Sequence, residues 1–425
     1  MPVRYRLIYG AAAYALVPLV ALVMLWRGVR ERGYWRDFAQ RFGVGRTLTP
    51  SSIWVHAVSV GEVQASSALV RELIARYPAT PLVLTTATPA GAARARALFG
   101  TQVDVRFVPF DLPGAARRFC ERVRPQLALI METELWPNLF HECRARGVPL
   151  VLASARLSPR SVARYRRFRG LFADTLAHGV IVAAQTTADA ERFRAVGAPA
   201  ARTHVTGNLK FDITVAPEVR TRGREIRALH GTGRSLWVAG STHAREEDIL
   251  LAAHRALQSH NPQALLALAP RHPPRFAEVA AWLERDGVSF VRASEHKAAD
   301  AGACVLLIDS VGELVNYYAA GDVAFVGGTL VPIGGRNPLE PAAIGMPLLC
   351  GPHYANSQEA SELLIECGAL QVVREADELA GRLASLLADP GDRERLAQAA
   401  RATIERNRGA LERLMALIEP LLASA

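Results

Sequence analysis

The sequence predicts a two-domain α/β protein, each domain built on an open parallel sheet, with an apolar helix at the N-terminus that anchors it to a membrane. Three observations predict this. Two successive series of short apolar runs alternate with longer helical segments. A chain of 425 residues, 50% of them hydrophobic, is too large for one ordinary core and suits two. Twenty consecutive residues near the start, Leu7 to Trp26, carry no charge.

Those twenty residues form a helix about 30 Å long, enough for a hydrocarbon core. Arg4 and Arg6 precede the segment, and Arg27, Arg30, Arg32 and Arg36 follow it. The heavier positive flank puts the body on the cytoplasmic side if the segment spans. Tyr5, Tyr9, Trp26, Tyr34 and Trp35 suit headgroup depth, and Pro18 is tolerated in a membrane helix. No small-residue cleavage site precedes WRGVRERGYW, which argues against a secretory signal.

After a linker around Arg46 to Pro50, the runs at 52–58, 81–87, 103–110, 126–131, 149–155 and 179–185 read as the strands of the first domain. They show little polar alternation, as expected of parallel strands covered by helices on both faces. The charged stretch from Ala216 to Arg234 separates them from a second series at 235–240, 264–270, 288–292, 304–309, 323–328 and 347–351. The expected division is residues 1–30 as anchor, 31–212 as the first α/β domain and 213–425 as the second. The extreme C-terminal helix is free to pack back on the first domain. Two such domains facing each other leave a cleft where the carboxyl ends of both sheets meet.

Composition narrows the function. Fifty Lys plus Arg against 40 Asp plus Glu give a formal charge of +10, which favours anionic partners. No zinc-finger or other nucleic-acid motif is present, so nucleic acid is not an expected partner. Cys120, Cys143, Cys304, Cys350 and Cys367 lie far apart and are odd in number, which fits a reducing cytoplasm. No tight His/Cys/acid spacing occurs, so neither a metal nor a cofactor is expected. Neither GxGxxG with a following acid nor GxxxxGK[ST] is present, which removes the usual supports for hydride transfer and P-loop hydrolysis.

In the first domain the opening strand runs into Ser59-Val60-Gly61-Glu62. A carboxylate at that helix start stays ionised and can act as a base, or it merely complements the helix dipole. The strand at 126–131 ends in Glu132-Thr133-Glu134-Leu135-Trp136-Pro137, where one acid can serve the site and the other cap a helix, or both only terminate the strand. Lys210, within Thr206-Gly207-Asn208-Leu209-Lys210-Phe211-Asp212, either lies over an anionic group or is solvated. Between Arg156 and Arg169 stand six arginines, which suit acceptor phosphates or an anionic bilayer unless they are simply solvated.

In the second domain, Ser241-Thr242-His243 and Pro270-Arg271-His272-Pro273 are strand-end loops suited to phosphate or carboxylate. Asp309-Ser310-Val311-Gly312-Glu313 opens a helix with small residues that let a ligand approach backbone N–H groups. Gly327-Gly328-Thr329 and Gly334-Gly335-Arg336-Asn337-Pro338-Leu339-Glu340 make an anion-binding nest plausible, with Glu340 placed to accept from ribose hydroxyls.

Together HAVSVGE at 56–62, LIMETELWPNL at 129–139, TGNLKFD at 206–212, APRHPPRF at 269–276, FVGGTL at 325–330 and GGRNPLEPAA at 334–343 resemble the 3-deoxy-D-manno-octulosonic acid (Kdo) transferases of lipopolysaccharide core assembly. The resemblance covers nearly the whole chain. It implies a GT-B fold of two Rossmann-like, doubly wound domains, the first for the acceptor and the second for the donor. It also implies a cytoplasmic-face, inner-membrane enzyme that moves Kdo from CMP-Kdo to the 6-hydroxyl of the distal glucosamine of a lipid A precursor, with inversion and release of CMP. By position, Glu62 matches the family's general base, and Glu132 and Lys210 match residues that support the transition state. Pro270, Arg271, Val311, Gly312, Glu313, Asn337, Pro338, Leu339 and Glu340 match donor-binding positions. Val311 stands where methionine is common, and Ala244 where some members carry glutamate. The competing readings are another sugar-nucleotide transferase or epimerase, which needs no anchor, and a non-catalytic scaffold that binds anionic lipid.

Overall fold

A computed structural model describes residues 2–48, 51–177, 179–299 and 302–423. The chain forms two compact units, residues 1–212 with 407–425 and residues 213–406. Thr49 and Pro50 of the expected linker lie outside the described residues, whereas the part just before them is packed. Leu48 donates its N–H to Arg122 and rests on the core.

The first unit holds seven parallel strands: β1 (Ser52–His56), β2 (Leu82–Thr86), β3 (Val103–Phe107), β4 (Pro125–Met131), β5 (Leu150–Ala155), β6 (Val180–Ala184) and β7 (Thr203–Val205). Their order is β3-β2-β1-β4-β5-β6-β7, so the winding reverses between β1 and β4. Strand side chains alternate between faces. Ile53 and Val55 enter one core layer, whereas Trp54 enters the other with Phe119 and Phe140. Between β1 and β2 the chain forms two helices, Val60–Ala65 and Ser67–Arg76.

The second unit repeats the design with β8 (Leu236–Thr242), β9 (Leu265–Pro270), β10 (Phe290–Arg292), β11 (Val305–Leu307), β12 (Val323–Val326), β13 (Leu348–Cys350) and β14 (Leu370–Val372). The order β10-β11-β9-β8-β12-β13-β14 reverses between β8 and β12. Trp237, Leu266, Leu307 and Phe325 are fully buried between the sheet and its helices. The charged stretch read as a separator is largely the helix Pro217–His230, which belongs to this unit. A Cβ at Gly223 would come within 2.6 Å of Ala319, so the helix lies directly on its neighbour.

The C-terminal helix, Ala410–Ala423, buries Leu414, Met415 and Ile418 against the Ile53/Val55 layer of the first unit. Asp212 holds its start. One carboxylate oxygen accepts from Gly409 N at 2.7 Å and the other from Leu411 N at 2.6 Å. Hydrogen bonds to a charged acceptor contribute about 1.5–3 kcal/mol. Asp212→Ala is expected to lower the denaturant midpoint of the first unit by the equivalent of about 2 kcal/mol and to expose the 407–411 segment to protease, both measured on the purified full chain.

Candidate functional site

Each sheet has one place where strand order reverses, and ligands of open α/β sheets gather beyond the carboxyl ends of the strands there. In the first unit those strands are β1 and β4, which lead to Glu62 and Glu132. In the second they are β8 and β12, which lead to His243 and to Gly327-Gly328-Thr329.

Glu62 stands in the first turn of the Val60–Ala65 helix, and its Oε2 accepts the Val58 N–H at 2.7 Å. The helix start was expected to keep this carboxylate ionised, but burial wins. Desolvation pushes its carboxyl up to about 8. The Val58 N–H and Lys210 pull the other way, while Glu132 and Glu134 push it further up. A group with that value is a stronger base than a surface glutamate once it loses its proton.

Glu132 follows β4 with φ of 55°, a left-handed conformation that costs an L-residue on the order of 1 kcal/mol. The turn is held by the bond from Glu132 N to the Ala153 carbonyl and by Thr133 Oγ1 donating to the Arg156 carbonyl. Glu132 Oε1 meets Lys210 Nζ at 2.7 Å. Lys210 rides on the short turn Leu209–Phe211, whose neighbours Leu209 and Phe211 are buried. Asn208 Oδ1 accepts the Lys210 N–H, and Asn208 Nδ2 donates to Gln185 Oε1 at 3.3 Å. Gln185 Nε2 in turn donates to the Ser154 carbonyl. Residues 62, 132 and 210, distant in sequence, thus form one electrostatically coupled group. Burial also raises the carboxyl of Glu134.

Asp111, which the sequence reading passed over, sits behind this loop. It accepts Asn138 N at 3.1 Å and Leu139 N at 2.8 Å, opening the Pro137–Ala145 helix. His56, at the end of β1, is fully buried with Nδ1 against Thr85, and burial lowers it to about 4, so it is neutral.

In the second unit Pro270 ends β9, and the exposed Arg271 donates its backbone N–H to the Thr242 carbonyl. Val311 is 74% exposed, Gly312 has φ of 91°, and Glu313 precedes the Leu314–Ala320 helix. Asn337 Oδ1 accepts Leu339 N, turning Pro338 into the Leu339–Ile344 helix, with Glu340 in its first turn. The expected glycine nest is differently used. The N–H groups of Gly328, Thr329 and Leu330 already donate to Glu246 at 2.7, 2.9 and 3.0 Å. Glu246 also accepts from His243 N and is 0% exposed. Gly327 is required by close approach, since a Cβ there would lie 2.6 Å from the Gly240 carbonyl oxygen.

His243 Nε2 stands 2.6 Å from an Arg336 nitrogen. Burial first, then Arg336, His272 and Arg271, lower His243 to about 4. Neutral His243 therefore accepts from Arg336 and aims it. Arg271 makes no ion pair among the described residues, so this edge carries uncompensated positive charge fit for a phosphate. Glu246 and the His243–Arg336 pair were missed because their partners lie 82 to 93 residues away. An acid in the first helical turn after Ser241-Thr242-His243 was the available signal. Among the described residues no group of three or more His, Cys, Asp or Glu is arranged for a metal ion.

Comparison with known proteins places this geometry. Residues 36–213 match the family model of 3-deoxy-D-manno-octulosonic-acid transferase (kdotransferase). The 3-deoxy-D-manno-octulosonic acid transferase of Haemophilus influenzae is 39% identical over 98% of this chain and 99% of its own. That of Bordetella pertussis is 38% identical over 98% and 99%. Among solved structures, a glycosyltransferase from Rickettsia africae superposes with a TM-score of 0.58 at 12% identity, covering 89% of this chain and 100% of that one. The UDP-GlcNAc 2-epimerase of Neisseria meningitidis does so with 0.56 at 12%, covering 86% and 99%. These two likenesses speak for the GT-B fold alone, whereas near full-length identity to the curated enzymes shows that this chain belongs to the 3-deoxy-D-manno-octulosonic acid transferase family of glycosyltransferases.

Proposed function

We propose that the chain transfers Kdo from CMP-Kdo to the 6-hydroxyl of the distal glucosamine of a lipid A precursor, inverting the anomeric carbon and releasing CMP. The observation that carries this reading is the half-buried Glu62 carboxyl beside the Glu132–Lys210 pair at the reversal point of the first sheet. Val58 N–H occupies Oε2 and leaves Oε1 for an incoming hydroxyl.

Glu62 takes the hydroxyl proton as the acceptor oxygen attacks C2 of Kdo. The bond from C2 to the phosphate oxygen breaks on the opposite face, and its electron pair leaves with CMP. Lys210, fixed by Glu132, supplies positive charge for the developing anion. Donor binding falls to Pro270, Arg271, Val311, Gly312, Glu313, Asn337, Pro338, Leu339 and Glu340, with positive charge at Arg271 suited to the phosphate.

Membrane residence on the cytoplasmic face of a bacterial inner membrane is supported by the apolar helix Pro2–Arg30 and by the Pro159–Arg167 helix. On the latter Arg160, Arg164, Arg166 and Arg167 are exposed, whereas Val162 and Tyr165 pack inward. Such a face suits acceptor phosphates or anionic headgroups.

The test is incubation of purified protein with CMP-Kdo and a tetraacyl lipid A precursor, following lipid mass and CMP. Each added Kdo should match one CMP, and Glu62→Gln should lower kcat by at least about 10²-fold. Unchanged lipid with intact donor and folded protein contradicts the reading. Lys210→Met should shift the rising limb of the pH–rate profile to higher pH, because the ammonium now holds the Glu62 carboxyl down. An unmoved limb would remove Lys210 from the coupled group.

A further inference from the structure

The N-terminal helix is long and apolar enough to cross a bilayer, yet its contacts tie both of its ends to the first unit. At its start the Tyr5 ring lies against Gly170, where a Cβ would approach it to 2.7 Å. One turn on, the Tyr9 hydroxyl donates to Asp111, the carboxylate that opens the Pro137–Ala145 helix. Gly10 faces Pro113, and Tyr14 Oη accepts the Gly114 N–H at 3.2 Å. At its end Gly28 lies under the Trp35 indole, and Gly33 is already against Pro89, where a Cβ would come within 2.8 Å.

Pro113 opens the helix that follows β3 and Pro89 the helix that follows β2, so the N-terminal segment bridges two points at the carboxyl edge of one sheet. A helix that crosses a bilayer has its ends on opposite sides. This one cannot do so without breaking the contacts at one end. The residues left after Tyr14 span only about 24 Å, short of a hydrocarbon core of about 30 Å.

Burial along the helix agrees. Gly10 and Gly28 are buried and Tyr9, Ala13, Val17 and Met24 half-buried, at helical spacing. The opposite face leaves Ile8, Leu16, Leu19, Leu22, Trp26 and Val29 exposed. Arg27 and Arg30 stand in the last turn of the helix, and Phe168, 59% exposed, lies two residues from the Gly170 that Tyr5 packs on and next to the arginines of the Pro159–Arg167 helix. An apolar ridge rimmed by arginines matches acyl chains beneath anionic headgroups.

The geometry points to a helix that lies in the plane of a single leaflet, seated on the carboxyl edge of the first sheet, and does not cross the membrane. This rests on the membrane residence proposed above. It places Glu62 and Glu132 on the edge that faces the lipid, so that an acceptor hydroxyl reaches them from the headgroup layer.

Topology decides it. The full chain, with one protease-cleavable tag at each terminus, is expressed in a Gram-negative bacterium, and spheroplasts and inside-out inner-membrane vesicles are treated with protease. The expected result is that both tags are cut in the vesicles and neither in spheroplasts. Cleavage of the N-terminal tag from outside spheroplasts, with the C-terminal tag cut only in vesicles, overturns the seated helix while leaving membrane residence and transfer activity standing. Recovery of the chain in the soluble fraction overturns both the seated helix and membrane residence.

Discussion

A carboxylate that accepts backbone N–H groups from another segment is the interaction on which both units depend. Loops leaving the strands of a parallel sheet carry N–H groups without a ladder partner, and a buried one left unpaired is costly. Here Asp189 receives Leu157 N, Asp111 receives two donors from the Pro137–Ala145 helix, Asp212 two from the C-terminal helix, and Glu246 three from the loop after β12. Each acid orders a loop at or near a sheet edge. The same arrangement explains why Glu62 differs. It is half-buried with one backbone donor, and desolvation carries its carboxyl to about 8. Asp111, with two backbone donors and the Tyr9 hydroxyl, is more deeply buried yet rises only to about 6. Backbone donors pull a carboxyl down against its burial, and Glu62, with one such donor and with Glu132 and Glu134 nearby, is the acid held above neutrality.

Topology places the chemistry. Strand order reverses once in each sheet, and the loops that leave the reversal strands diverge, which opens space that side chains can fill. In the first unit that space receives Glu62 and the Glu132–Lys210 pair, and in the second the His243–Arg336 pair. In the proposed function the first edge moves a proton and the second holds an anion.

Much of this was legible in the sequence because parallel strands buried on both faces read as unbroken apolar runs. Twelve of the strands fell where such runs stand. β7, Thr203–Val205, and β14, Leu370–Val372, were missed because three residues including a histidine or a glutamine leave no run to see. Charge misled at Pro217–His230, where Arg220, Arg222 and Arg224 lie outward while Gly223 and Ile226 pack inward and Arg227 pairs with Asp322. The site was legible where strand-end acids adjoin a glycine, as at Gly61-Glu62. It was not legible where function depends on who meets whom across the fold, as for Glu246. Nor could spacing reveal that burial outweighs the helix dipole at Glu62, since the loss of water around a side chain is a property of the folded unit.

The most direct measurement of this account is infrared titration of the Glu62 carboxyl in the full-length protein, with Glu62→Gln as the subtracted reference. A protonated-carboxyl band is expected at pH 7, disappearing with a midpoint near 8 and missing from the variant. A Glu62 carboxyl that titrates at about 4.3, as an unperturbed glutamate does, would contradict it.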